Sequence, residues 1–182
     1  MVLEEDFRAT LEIQHFANQL WAPERLNPSR PSPRRGPAPR VIPGGIETVL
    51  SEIEEAKATL FGKKQLARIG VACAFDDRSQ VRRLIESNGH RVNTATDNIQ
   101  EGVSVIAFES LRGLEFEACI VVLPDTSQTH NEAYRTMNSD LYVAFTRAKT
   151  HLAIIVPDNF PDDFLDAISS AVGSSAALRD SQ

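Results

Sequence analysis

Arg112, Gly113, Glu115 and Arg147 are the residues of this chain whose types and settings could do chemistry. The first three lie in Ser110-Leu111-Arg112-Gly113-Leu114-Glu115-Phe116, between apolar runs at 103–108 and 118–123. Arg147 lies near the end of Leu141-Tyr142-Val143-Ala144-Phe145-Thr146-Arg147-Ala148-Lys149, ahead of a third run at 152–156. A guanidinium stays charged and forks onto phosphate oxygens. A carboxylate accepts hydrogen bonds from hydroxyls. A glycine lets backbone approach a ligand closely. The combination suits a phosphorylated, hydroxyl-bearing ligand such as a nucleotide.

The elements that must position these residues can be read from apolar spacing. Continuous apolar runs between turn signals mark strands buried on both faces, here at 69–75, 103–108, 118–123 and 152–156. Short strands are expected at 41–42 and 90–94. Leu11, Phe16, Ala17 and Leu20 form one helical stripe, ending near Trp21. Ile46, Val49, Leu50, Ile53, Ala56 and Leu60 form a second, with Gly62 placed as its cap. Asp76-Asp77 is expected to cap a third helix, which buries Val81, Leu84 and Ile85 and stops at Asn88-Gly89. Residues 141–148 read as a helix, and Pro161-Asp162-Asp163 opens a terminal one carrying Phe164, Leu165 and Ile168. Strands alternating with helices predict an α/β domain with a mainly parallel sheet and helices on both faces. Ligands of such sheets sit at strand ends, which is where both chemical segments fall.

Composition narrows the class. The 182 residues suffice for one well-filled domain, assigned here to 1–172, with 173–182 as a frayed tail. A net charge of −6 gives no general affinity for nucleic acid, so any such contact must be local. Cys73 and Cys119 lie inside strand-like runs and read as buried reduced thiols in a cytoplasmic protein. The histidines are scattered, and no metal site is expected. Met1 is followed by Glu4-Glu5-Asp6, unlike a secretory leader, and no run is long enough to span a membrane. Residues 23–43 hold seven prolines and five arginines and read as a linker or mobile surface loop, bounded at 22–45. No phosphate-binding loop is present. Gly62-Lys63-Lys64 has the wrong spacing and no hydroxyl after the lysine.

Segments 105–116 and 141–149 resemble motifs V and VI of the UvrD/Rep/PcrA group of superfamily-one DNA helicases. The shared forms run roughly Thr-x-His-x-x-Lys-Gly-Leu-Glu-Phe and Leu-Tyr-Val-Ala-x-Thr-Arg-Ala. Leu3-Glu4-Glu5-Asp6-Phe7-Arg8-Ala9-Thr10 resembles motif IV. The resemblance implies a three-layer RecA-like fold, the second of two such domains in an ATP-dependent helicase. ATP and Mg2+ would be held mainly by an N-terminal RecA-like partner domain carrying the phosphate loop. Arg147 and Arg8 are thereby implied to reach the γ-phosphate, Phe7 to stack on the base, and Glu115 to hold the ribose. Arg112 stands where the family has lysine, beside Gly113, and is implied to touch phosphate. Taken singly, each residue has a plainer reading: Arg147 and Arg8 as surface cations, Glu115 as a surface acid, Phe7 and Tyr142 as core. The joint pattern favours the functional one.

The departures matter too. Ala107 and Glu109 replace the threonine and histidine of motif V; with Ser110 they mark the implied contact with single-stranded DNA, where an acid repels phosphate. Asp6 replaces an asparagine of motif IV, and only residues 95–102 separate the 69–94 region from motif V, so the accessory domain of longer members is missing. Two further readings therefore stand beside the helicase: an ATPase that remodels a protein complex such as one built on RNA polymerase, and a non-catalytic RecA-like binding module.

Overall fold

The computed structural model describes residues 9–21, 32–61, 67–93, 102–125 and 140–180. In chain order these form α1 (Leu11–Trp21), β1 (Arg40–Pro43), a 3-10 turn (Ile46–Thr48), α2 (Val49–Phe61), β2 (Arg68–Cys73), α3 (Arg78–Ser87), β3 (Val92–Asn93) and β4 (Gly102–Ala107). A second 3-10 turn (Phe108–Ser110), β5 (Phe116–Val122), α4 (helical residues 140–145), β6 (Ala148–Val156) and α5 (Asp162–Asp180) follow. The strands make one six-stranded sheet in the order β1-β6-β5-β2-β4-β3, and every pairing is parallel.

The near-continuous apolar strands are buried on both faces because helices cover each. Ile13 and Phe16 of α1, Leu141 and Phe145 of α4 and Ile168 of α5 pack against Phe116, Cys119, Val121, Leu152 and Ile154. Ile53 and Ala56 of α2 and Val81 and Ile85 of α3 pack against Val71, Ala118, Ile120, Ala153 and Ile155. Alternate residues of each strand thus feed opposite cores, as period-two geometry requires. Each large side chain so buried contributes roughly 1.5–3 kcal/mol. The Phe16 and Phe145 rings meet edge to face at 5.3 Å, locking α1 to α4.

Five expectations change. Strand β2 ends at Cys73, so Phe75 falls in the following turn, 65% exposed, with the Arg78 guanidinium 5.7 Å from its ring centre. Asp77 does occupy the N-cap of α3, but its carboxylate makes no capping hydrogen bond. Ala148 belongs to β6 rather than to the preceding helix, because the chain enters the sheet beside Phe116 there. The tail expected to fray from 173 continues α5 to Asp180. Ser175 is fully buried in it and donates to Ala171 O at 2.8 Å. Serine and alanine give no apolar stripe, yet they suit a helix packed along α1.

The fifth change concerns the proline-arginine stretch. Its second half, 32–39, is strapped to the first turn of α1 instead of standing off as a linker. Ser32 is buried, its N–H donating to Gln14 Oε1 at 2.9 Å and its hydroxyl to Ala9 O at 2.7 Å. Leu11 N–H donates to Arg34 O at 2.8 Å, and Gly36 N–H to Glu12 Oε2 at 2.9 Å. The fully buried Glu12 carboxylate is thereby satisfied, with Arg35 3.5 Å from its other oxygen. Helix termini leave backbone donors without intrahelical partners, and the strap supplies one.

Candidate functional site

The connection from β4 to β5 crosses the sheet from one edge to the other. It leaves β4 at the carboxyl end after Ala107 and enters β5 at the amino end with Phe116. Buried Phe108 and Leu111 anchor it, and tight turns close it through Leu111 N–H to Phe108 O and Leu114 N–H to Leu111 O. Gly113 has φ +80, the left-handed region that favours glycine. Among the described residues, its chain neighbours aside, no atom lies within 4 Å of where its Cβ would be, so backbone conformation rather than crowding calls for glycine here.

Glu115 and Arg147 flank the first paired residues of adjacent strands, since Phe116 stands opposite Ala148. The Phe116 N–H donates to Arg147 O at 3.0 Å and ties the two approaches together. The Arg147 guanidinium reaches Leu114 O from Nη1 at 3.4 Å, Val143 O from Nε at 3.1 Å and Thr146 Oγ1 from Nη2 at 3.3 Å. Thr146 Oγ1 donates to Tyr142 O and Val143 O, both at 3.0 Å. Together these groups satisfy carbonyls that the end of α4 leaves open, and the cation complements the negative end of the helix dipole. Arg147 is therefore half-buried and aimed across the edge onto the loop that carries Arg112 and Glu115.

A chain of alternating charges completes this edge. Lys149 Nζ lies 3.1 Å from Glu115 Oε2 and 4.0 Å from Glu117 Oε1. Glu117 Oε2 lies 3.5 Å from Arg68 Nε and accepts the Arg68 backbone N–H at 3.2 Å. No role for Lys149, Glu117 or Arg68 was legible in the sequence. The only signal is that each stands within two residues of a strand start. Burial pushes the Cys119 thiol up to about 12, against the pull of the nearby Arg147 charge, and burial pushes Cys73 to about 12 as well. Neither is a nucleophile at neutral pH.

The structure thus brings Glu115, Gly113, Arg112 and Arg147 to one edge, with Arg112 and Gly113 exposed in the loop. That is the amino edge of β5 and β6, whereas the general rule for open parallel sheets points to carboxyl ends. Ala107, Glu109 and Ser110 sit instead at the carboxyl end of β4. Glu109 and Ser110 are exposed there, but Ala107 is 1% exposed, so its side chain offers no contact to a strand. Phe7 and Arg8 lie outside the described residues, as does Gly62. No group of three or more His, Cys, Asp or Glu among the described residues could hold a metal ion. No helix among them is long and apolar enough to cross a membrane.

Residues 58–156 match the model of the viral superfamily 1 RNA helicase core domain. No curated protein matches the chain by sequence. Among solved structures, the C-terminal domain of a "possible DNA helicase" from Lactobacillus plantarum WCFS1 superposes with a TM-score of 0.68 at 18% identity. The match covers 92% of this chain and 96% of that one, a likeness of fold. The Sulfolobus solfataricus SWI2/SNF2 ATPase core in complex with double-stranded DNA gives a TM-score of 0.46 at 10% identity. There the match covers 75% of this chain and 30% of the other.

Proposed function

Because the chain belongs to the viral superfamily 1 RNA helicase core-domain family and is a helicase-like ATPase domain of RecA-like fold, we propose that it is the second half of a nucleic-acid motor. Its amino sheet edge closes on a triphosphate gripped by a phosphate-loop domain of the same protein. The observation that carries this reading is the meeting of Glu115 and Arg147 on adjoining strand starts, joined by the Phe116–Arg147 hydrogen bond. Glu115 accepts from the ribose hydroxyls. Arg112 lends charge to the phosphates. Arg147 exchanges its carbonyl partners for γ-phosphate oxygens as the domains close and neutralises the charge that develops during transfer. Phe7 and Arg8 join from the segment before α1, stacking on the base and meeting the same phosphate.

The polymer is single-stranded nucleic acid, DNA by the likeness to the UvrD/Rep/PcrA group. A second reading, a remodeller of protein complexes, draws on a specific observation: the carboxyl edge presents Glu109 to solvent and hides Ala107. Strong stimulation of ATPase by single-stranded DNA or RNA supports the motor on nucleic acid, and none supports the remodeller.

The test of the nucleotide edge is Arg147→Ala in the full-length protein. Turnover of ATP should fall by about 10³–10⁵, roughly 4–7 kcal/mol of barrier, with ATP affinity nearly intact. Arg147→Lys keeps the charge and loses the fork, and it should recover little. Turnover unchanged in both variants would sink the arginine-finger role.

A further inference from the structure

We propose that Lys149 is a positioning residue that holds the Glu115 carboxylate against the nucleotide sugar and so lets the site tell ribose from a sugar lacking hydroxyls. The inference rests on the reading of Glu115 as the ribose contact and adds what makes that contact work. Glu115 alone, at an edge that must accept a triphosphate, is a carboxylate beside several phosphate charges, and like charges repel. An ammonium 3.1 Å from Glu115 Oε2 offsets that repulsion and fixes the rotamer. A carboxylate offers about four lone-pair sites, so one held by Lys149 still accepts from hydroxyls.

The backbone is arranged for this contact. Phe116 stands opposite Ala148, but Ala118 stands opposite His151, so β6 carries an extra residue at this point. Lys149 and Thr150 therefore both face Glu117. Such bulges re-aim side chains. Thr150 goes into the core, 6% exposed, while the Lys149 and Glu115 side chains are each 23% exposed. Partial burial leaves the pair less screened than one in open water. Glu117 does not compete strongly for Lys149. It is 4.0 Å away and already takes both the side chain and the backbone N–H of Arg68.

The experiment uses the full-length protein and two probes, a non-hydrolysable ATP analogue and its 2′,3′-dideoxy counterpart, each titrated calorimetrically. The wild type should prefer the hydroxylated analogue by about tenfold or more, the size expected of hydrogen bonds to a charged acceptor. In Lys149→Met that preference should collapse towards unity, with affinity for the dideoxy analogue little changed. Lys149→Arg should restore most of it. An equal loss for both analogues marks a merely structural lysine and overturns the proposal. Where Lys149→Met does not fold, Lys149→Gln keeps the stem and a donor without the charge, and an undiminished preference there overturns it equally. Glu115→Gln separates the two levels. If it abolishes the preference while Lys149→Met retains it, the lysine inference falls and the ribose reading stands. If Glu115→Gln leaves the preference intact, or the wild type has none, both fall together.

Discussion

At the amino edge of the sheet, acids and bases alternate within ion-pair distance; at the carboxyl edge, acids crowd one another. The amino edge sets Arg68, Glu117, Lys149 and Glu115 in sequence, with Arg147 bonded to the loop beside them. The carboxyl edge brings Asp77 close enough to Asp76 and Asp125 for both to disfavour its charge, and it exposes Glu109 and Phe75 nearby. On the reading proposed above, acids at the second surface repel a phosphorylated ligand, while guanidinium and ammonium groups at the first meet it. A parallel sheet has two edges, and in that reading side-chain charge selects the amino one for the nucleotide. Here one eight-residue connection, 108–115, links them and carries candidate residues to both.

The largest expected effect breaks the amino edge directly, and it is the loss of turnover in Arg147→Ala. Next comes a substitution that disturbs the same edge from inside the core. A Cβ on Gly70 of β2 would lie 2.7 Å from the Phe116 ring, closer than real contacts allow. Phe116 is fully buried, so its ring has little room to yield. Gly70→Ala should destabilise the domain by about 1–3 kcal/mol, read as a lower urea midpoint. The displaced ring also pulls on the Phe116 N–H that bonds Arg147 O, so turnover should fall with stability. An unchanged midpoint would show that the ring moves freely and that the edge is not fixed through Phe116.

These residues mark how far the sequence could be read. Apolar runs located the four long strands within a few residues, because a strand buried on both faces leaves an unbroken hydrophobic signature. The segment carrying Arg112, Gly113 and Glu115 and the approach to β6 were legible as neighbours of those runs. Their meeting at the amino edge was not, because it depends on the register of β5 against β6, Phe116 opposite Ala148, which apolar runs do not set. Lys149 was hidden for a related reason: its place 3.1 Å from Glu115 is set by the same pairing of β5 with β6. The strap at 32–39 was not legible because proline-rich composition reports the missing N–H groups, not the half-buried Gln14 and buried Glu12 acceptors on α1. The tail was misread because Ser175 packs through its small size and its own hydrogen bond.

A smaller effect sharpens the comparison from the other edge. Phe75 is 65% exposed, and its only described ring partner is Arg78. Phe75→Ala should change stability by less than about 1 kcal/mol, the scale of one exposed cation–π contact. Turnover of ATP without nucleic acid should stay at the wild-type level, because Phe75 stands at the end of the strands away from Glu115 and Arg147. A tenfold drop in that basal rate would mean the two edges are coupled.

The smallest effect concerns acid crowding at the carboxyl edge. Burial raises the Asp77 carboxyl above its ordinary 3.8, and the charges of Asp76 and Asp125 push the same way. A carboxyl raised in the folded state favours folding when protonated. That contribution is complete below pH 3.8 and is lost as pH rises through the higher folded value. At pH 7 the charged Asp77 therefore weakens the fold, and Asp77→Asn should raise the urea midpoint. The difference should shrink as pH falls and vanish below about 3.8, where the aspartate is protonated in both states. One force opposes the gain: Asp77 caps α3, whose positive end favours an anion by about 0.3–1 kcal/mol. No capping hydrogen bond is lost, because the carboxylate makes none. The net gain should then stay under about 1 kcal/mol. A variant less stable than wild type at pH 7 would mean that the helix dipole outweighs the crowding, and that the carboxyl edge is not the self-repelling surface that sets it apart from the amino edge.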